Sequence, residues 1–267
     1  MNDKTAKRMV IGVSIFLLLV GGILYYIFDR QGYDNSGKSN YVKYDINDYV
    51  EVTSVDFDSY GDVYNNTRVS RVSIKNISND GVKNFLHNED NIVGYITGYY
   101  NEIKQKDSYT SSSSAVSSIK KQVNGTVLSV LYRVDFELDP IYFEDSSRSY
   151  MTVLNVDLAT GKSLSTDDLL LKYNYTKDYI ANKIFIEDIL VPSDQIVIDK
   201  NTNISLTRSD IERRKSEYID RIVGEFDNII KVYIDNNNLT LVYDKKELNS
   251  LFFDTDIDTD IKTRYLR

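Results

Sequence analysis

One segment near the start of the chain constrains the protein most. Residues 9 to 28 read MVIGVSIFLLLVGGILYYIF and contain no charged side chain. A helix rises about 1.5 Å per residue, so this run spans about 30 Å, the thickness of the hydrocarbon core of a bilayer. The segment from Met9 to Phe28 is therefore predicted to cross a membrane once, as a helix.

The charges beside this segment predict its orientation. Three basic residues precede it (Lys4, Lys7 and Arg8), and Asp29 follows it. Because basic flanks stay in the cytoplasm, residues 1–8 are predicted to be a cytoplasmic tail and the rest of the chain to be extracytoplasmic. A cleaved signal peptide is the alternative, but it has a shorter apolar core and a small-x-small cleavage site, which is missing here. The prediction is a single-pass protein of the cell membrane.

The chain beyond the apolar segment is acidic and has no cysteine. Residues 1–28 hold three basic and one acidic side chain, which leaves 29 basic and 39 acidic residues and a net charge of −10. This charge argues against a nucleic-acid partner and would attract a basic one. An exported chain that forms no disulfide is more typical of a Gram-positive cell surface than of a eukaryotic secreted domain.

The remaining chain divides into a tether and a folded domain. Residues 29–44 are polar and contain glycine, which predicts a flexible tether. Residues 45–267 contain both strand and helix patterns, and we expect one extracytoplasmic α+β domain in which helices pack on a mostly antiparallel sheet.

Strands are predicted where apolar residues alternate or cluster between turn residues. The strongest signal is VLSVLYRVDFEL at 127–138. The last two strands form a hairpin, since the asparagines between them tolerate the left-handed backbone of a tight turn. The predicted strands cover 49–59, 69–74, 127–138, 150–158, 229–234 and 239–243.

Helices are predicted where apolar residues recur every three or four positions. The first begins after Gly81, with Asp80 as its cap, and runs past residue 100. A second follows the helix-start signal Ser165-Thr166-Asp167-Asp168. Others are predicted over 176–190 and from Ser209.

The side chains that usually carry catalysis are sparse. His87 is the single histidine, which excludes a histidine metal cluster and leaves a catalytic triad without a nucleophile motif. Two carboxylate pairs, Asp167-Asp168 and Glu187-Asp188, are interpreted as helix caps or surface charge rather than as a general acid and base. We therefore predict no catalytic or cofactor-binding residue and no enzymatic activity.

A run of aspartates near the C-terminus suggests a calcium site. Asp254, Asp256, Asp258 and Asp260 alternate in FDTDIDTD. An EF-hand loop that starts at the first of them needs glycine and glutamate where this chain has Thr259 and Tyr265. The acidic face of an edge strand explains the pattern better, so no metal ligand is predicted.

Two motifs carry a resemblance to a known family. Residues 155–164 read NVDLATGKSL, and residues 232–243 read VYIDNNNLTLVY. They resemble the extracytoplasmic domain of lysozyme-sensing anti-sigma factors of the RsiV type, which is also found as an accessory module of some peptidoglycan deacetylases. The resemblance covers roughly residues 45–260. It implies an α+β domain outside the cytoplasm that binds a lysozyme-like protein.

The chain departs from this family in three places. Residues 139–147, DPIYFEDSS, replace a glycine-rich segment with a histidine, and residues 252–260 replace a segment with tyrosine, proline and glycine. The eight-residue tail is too short for a sigma-binding domain, and no deacetylase domain is expected.

Three functions remain as hypotheses. The first is a membrane-anchored, non-enzymatic binding module at a Gram-positive surface, whose partner is a cationic wall-active protein such as lysozyme, or a cell-wall component. The sequence identifies no partner-binding residue, but salt-resistant binding of a cationic protein would point to the strand and loop around 139–147. The second is a structural inner-membrane subunit of a secretion or conjugation apparatus. The third, a wall-modifying hydrolase, requires a pocket carboxylate.

Overall fold

Two sheets packed against each other organise the fold, and a long helix covers the outer face of the larger one. The computed structural model describes residues 43–56, 68–105, 114–137, 147–191, 196–254 and 261–266. Tyr44–Arg267 forms one compact unit. The α+β prediction is confirmed, with sheets that are antiparallel apart from one parallel contact.

The larger sheet has six strands in chain order. They are β1 (Val50–Asp56), β2 (Arg68–Ile74), β3 (Ser114–Asn124), β4 (Val127–Glu137), β5 (Ser147–Asp157) and β6 (Lys162–Ser163). Neighbours are antiparallel except β2 and β3, which meet only where Arg68 lies opposite Val116. Four of these strands were predicted; β3 and the short β6 were not.

The helix α1 (Asp80–Gln105) packs on one face of this sheet. Alternate residues of β4 face it, so Leu128, Val130 and Tyr132 are all fully buried. The predicted cap is wrong by one residue, because Asn79 Oδ1 accepts the hydrogen bond from Val82 N while Asp80 is already helical. In the part of the chain that the structure describes, no helix is long and apolar enough to cross a membrane, and the segment from Met9 to Phe28 lies outside that part.

The other elements build the second layer. The helices are α2 (Thr166–Lys172), α3 (Lys177–Ile184), α4 (Arg208–Arg213), α5 (Lys215–Gly224), α6 (Phe226–Ile229) and α7 (Lys245–Ser250), and a π-helical turn at Phe185–Ile189 extends α3. The strands are β7 (Val197–Ile198) and β8 (Ser205–Leu206), which pair with each other, and β9 (Lys231–Asp235), β10 (Asn238–Asp244) and β11 (Ile261–Tyr265), which form a three-stranded sheet in the order β11-β10-β9.

The predicted hairpin is confirmed as β9 and β10. Asn236 and Asn237 connect them with φ of 50° and 63°, the left-handed conformation that asparagine tolerates. Residues of both strands, including Val232 and Leu241, enter a core that they share with the surrounding helices.

The helix starts predicted from local capping signals are mostly confirmed. Ser165 accepts a hydrogen bond from Asp168 N (3.1 Å), and the Asp168 carboxylate accepts one from Ser165 N (2.9 Å). For α4 the cap is Thr207 rather than Ser209, because Asp210 lies three residues after Thr207 and bonds back to its backbone N.

Candidate interaction surface

Asn155 of the first motif and the β9–β10 hairpin of the second motif join the two sheets. Asn155 Nδ2 donates to Val232 O of β9 (2.9 Å), and Ser129 Oγ of β4 donates to Asn155 Oδ1 (2.6 Å). The same Ser129 Oγ accepts from Ile234 N (2.9 Å). The edge of β9 is thus paired by side chains of the larger sheet, in a region where both Asn155 and Ser129 are buried.

Other motif residues shape the turn after β5. Asp157 Oδ1 accepts from Ala159 N (2.9 Å), Gly161 has φ of 68°, and Leu164 N donates to Asn155 O (2.8 Å). A left-handed backbone of this kind favours glycine. These interactions stabilise the fold, so the motif does not by itself present a binding site.

The residues considered for catalysis lie apart. His87 is exposed on α1, with Asn91 Nδ2 3.2 Å from its Nε2. Asp254 is exposed, and Asp256, Asp258 and Asp260 lie outside the described residues. Among the residues that the structure describes, no three histidine, cysteine, aspartate or glutamate side chains come close enough to hold a metal ion.

The pair Glu187-Asp188 is not a cap. The Asp188 carboxylate is buried, where Oδ2 accepts from Tyr243 Oη (2.6 Å) and from Arg264 Nη2 (2.8 Å). Glu187 binds the same Arg264 nitrogen at 2.8 Å. Burial, followed by the hydrogen bond to Asp188, raises the pKa of Tyr243, which keeps its hydroxyl proton. The interpretation as surface charge is therefore wrong for Asp188, which fastens β11 to the end of α3.

Sequence reasoning also missed a buried glutamate on α1. Glu89 is 1% exposed, and its Oε1 accepts from Arg71 Nε (2.9 Å) and from Val72 N (3.2 Å) of β2. The hydroxyl of Tyr132 is buried nearby and has no hydrogen-bond partner in the described part of the chain. Burial raises the pKa of Glu89, and the charge of Arg71 opposes this only in part.

The raised pKa of Glu89 predicts a pH effect on stability. Since its folded pKa lies above the ordinary value of 4.5, this carboxyl favours the folded state fully below pH 4.5 and loses that contribution as the pH rises through the folded pKa. We expect Glu89→Gln to lose less unfolding free energy than the wild type between pH 4.5 and pH 7, measured by urea denaturation. Glu217→Gln changes an exposed carboxylate and should keep the wild-type pH dependence. Equal slopes for all three proteins would contradict the assignment.

One end of the larger sheet collects several strand termini. Asp56 at the end of β1 lies opposite Arg68, which lies opposite Val116 of β3. Two residues beyond Val116, toward the start of β3, Glu137 at the end of β4 lies between Ser114 and Ser147, the first residues of β3 and β5. We call this group of neighbouring strand ends the connection end, because the chain leaves and re-enters the sheet there through residues 57–67, 106–113 and 138–146.

Part of the excess negative charge lies in these connections, and residues 255–260 carry three further aspartates. The described residues hold 25 basic and 27 acidic side chains, a net charge of −2. Residues 57–67 and 138–146 contain five carboxylates and no basic residue, and both are flanked by strands at the connection end. The described fold is thus nearly neutral, and two acidic segments start from one end of it. Most of the expected surface at 139–147 lies outside the described residues, while Ser147 opens β5.

An aromatic cluster adjoins the connection end on the α1 side. Tyr95 of α1 is 43% exposed, and its ring contacts Tyr150 (5.2 Å between centroids) and Phe136 (6.2 Å, edge to face). A partly exposed tyrosine held by other rings offers a protein partner a rigid apolar face with a polar tip.

The outer edge of β1 is the other open feature. Glu51, Val52, Thr53 and Ser54 are all exposed, although they follow one another in a strand whose faces would usually alternate. β1 pairs with β2 and with no other strand of the described chain.

Comparison with models of known protein families gives no match, and a search of the curated proteins finds none either. Function is therefore inferred from the geometry of the fold and from the distribution of its charges.

Proposed function

We propose that this protein is a membrane-anchored, non-enzymatic binding module outside the cytoplasm of a Gram-positive cell, and that it binds a cationic wall-active protein of the lysozyme type. The apolar run from Met9 to Phe28 supports the anchor, and the two motifs support the resemblance to lysozyme-sensing domains. The observation that carries the proposal is the charge distribution: both acidic segments, 57–67 and 138–146, are flanked by strands at the connection end.

Localised charge suits such a partner better than uniform charge. Complementary patches steer a basic protein toward one face and raise its association rate, while a nearly neutral body avoids diffuse adsorption elsewhere. The tyrosine cluster beside the connection end adds apolar contact area that salt does not screen.

The proposal predicts binding that depends on position as well as on net charge. With the full chain in detergent micelles and lysozyme as the probe, we expect Asp139→Asn/Glu144→Gln/Asp145→Asn to weaken binding by about tenfold or more, mainly through the association rate. The matched control, Asp256→Asn/Asp258→Asn/Asp260→Asn, removes the same three charges from the segment before β11 and should bind within about threefold of the wild type. Biolayer interferometry at low and high salt measures both.

Three outcomes separate the hypotheses. Equal weakening by both triple variants, with binding lost at high salt, would mean adsorption by net charge alone. No binding of lysozyme or of other basic wall-active proteins would reject the proposed partner class. Recovery of membrane-complex subunits with the full chain would favour the structural subunit of a secretion or conjugation apparatus.

A further inference from the structure

The backbone of β1 has a defined outward-facing set of hydrogen-bonding groups. Lys75 N donates to Tyr49 O (2.8 Å), and the register places Val50 opposite Ile74. In an antiparallel pair the hydrogen-bonded residues alternate, so residues 49, 51, 53 and 55 bond toward β2. The N–H and C=O groups of Val50, Val52 and Ser54 therefore point away from β2.

The partners of β2 confirm this alternation. On its far edge, Ser70 N donates to Ser117 Oγ (2.7 Å) and Val72 N donates to Glu89 Oε1 (3.2 Å). These are the residues opposite Ser54 and Val52. Side chains of β3 and α1 thus pair the edge of β2 that the parallel strand leaves open.

The outer edge of β1 has no such cover. A hydrogen bond is made only at the start of this edge, where Lys121 Nζ donates to Val50 O (3.2 Å). Within the described chain, the outward groups of Val52 and Ser54 have no hydrogen-bond partner, and both residues are exposed. Proteins usually protect an edge strand with proline, lysine or a bulge, and VEVTSVD contains neither residue.

The charge along this edge selects the kind of occupant. Residues 43–56 contain four carboxylates and one basic residue. Asp45 and Asp48, just before β1, are exposed, and Glu51 is half exposed beside Lys75. A second copy of the chain would bring the same carboxylates to the edge, and like charges across a strand pair are unfavourable. A basic partner is favoured instead.

We propose that β1 captures its partner by strand addition: an extended segment of a cationic protein pairs with the outward backbone groups of Val52 and Ser54. The proposal rests on the proposed function, whose partner class it shares. Main-chain hydrogen bonds supply the affinity in this mode, and the carboxylates beside the strand select a basic segment.

The test removes one outward N–H and leaves the β1–β2 ladder intact. Val52→Pro eliminates a donor that the ladder does not use, and proline is tolerated at such edge positions. With the full chain in detergent micelles and lysozyme as the probe, we expect binding to weaken by about tenfold or more. The matched control, Val52→Thr, keeps the N–H and the β-branched shape and should bind like the wild type. Circular dichroism checks that both variants are folded.

A second measurement does not depend on a substitution. Hydrogen–deuterium exchange of the wild-type chain should show slower exchange in the peptide that covers residues 50–56 when lysozyme is added. If wild-type binding is intact but Val52→Pro binds equally and this peptide gains no protection, strand addition is rejected and the proposed function stands. If the wild type binds no lysozyme at any salt concentration, the proposed function itself fails.

Discussion

Replacing Arg264 with methionine should lower the free energy of unfolding by about 3–5 kcal/mol, because it leaves the buried Asp188 carboxylate without its positive partner. Tyr243 would still donate to Asp188, but one hydroxyl does not compensate a buried charge. The same change frees β11 from the end of α3, so this strand should lose protection from hydrogen exchange first. Urea denaturation and hydrogen–deuterium exchange measure the two effects.

Two further variants isolate the buried charge. Asp188→Asn combined with Arg264→Met removes both charges and should recover a large part of the lost stability, since the unpaired carboxylate is the main cost. Arg213→Met also breaks an arginine–aspartate pair, but this arginine is 76% exposed and the change should leave the denaturation midpoint almost unaltered. If Arg264→Met unfolds at the same urea concentration as Arg213→Met, Asp188 is not paired as described.

Features set by neighbouring residues could be predicted from the sequence. The alternation of apolar residues in 127–138 correctly predicted β4, because the two faces of this strand pack against different layers. The asparagine turn gave the β9–β10 hairpin, and the spacing of Ser165 and Asp168 gave the start of α2. Each of these depends on dihedral preferences or on contacts within a few residues.

Features that depend on residues distant in the chain could not be predicted from the sequence. Most of β3 shows no apolar alternation, because its outer face carries exposed Val116, Ser118 and Lys120 and its inner face is only partly covered. Glu89 lies between polar residues of α1 and looks like a solvent-facing side chain; Arg71, 18 residues earlier in the chain, is what makes its burial tolerable.

The candidate surface was predicted only in part. The acidity of 138–146 is visible in the sequence, but its flanking strands end on the same side of the sheet as those of 57–67 only because β2 runs parallel to β3. No local pattern encodes that crossover, since it follows from how α1 returns the chain to the sheet. The open edge of β1 is likewise a property of the sheet order.

Substitution of Asn155 tests whether this motif residue stabilises the junction between the two sheets. Asn155→Ala removes the donor to Val232 O and the acceptor for Ser129 Oγ. Each buried polar group left unpaired costs about 1–3 kcal/mol, so we expect a loss of about 2–4 kcal/mol in the free energy of unfolding. Asn228→Ala, which removes an exposed amide bonded to Glu225, is the matched control and should cost little.

A double-mutant cycle decides whether the junction acts as one unit. Ser129→Ala alone leaves the buried Ile234 N–H without an acceptor, because Ser129 Oγ accepts its hydrogen bond. Since Ser129 and Asn155 belong to one network, the double variant should lose clearly less than the sum of the two single losses, by about 0.5–3 kcal/mol. Strict additivity would mean that the two side chains stabilise β9 independently. In that case the resemblance at Asn155 reflects the turn after β5 rather than the junction between the sheets.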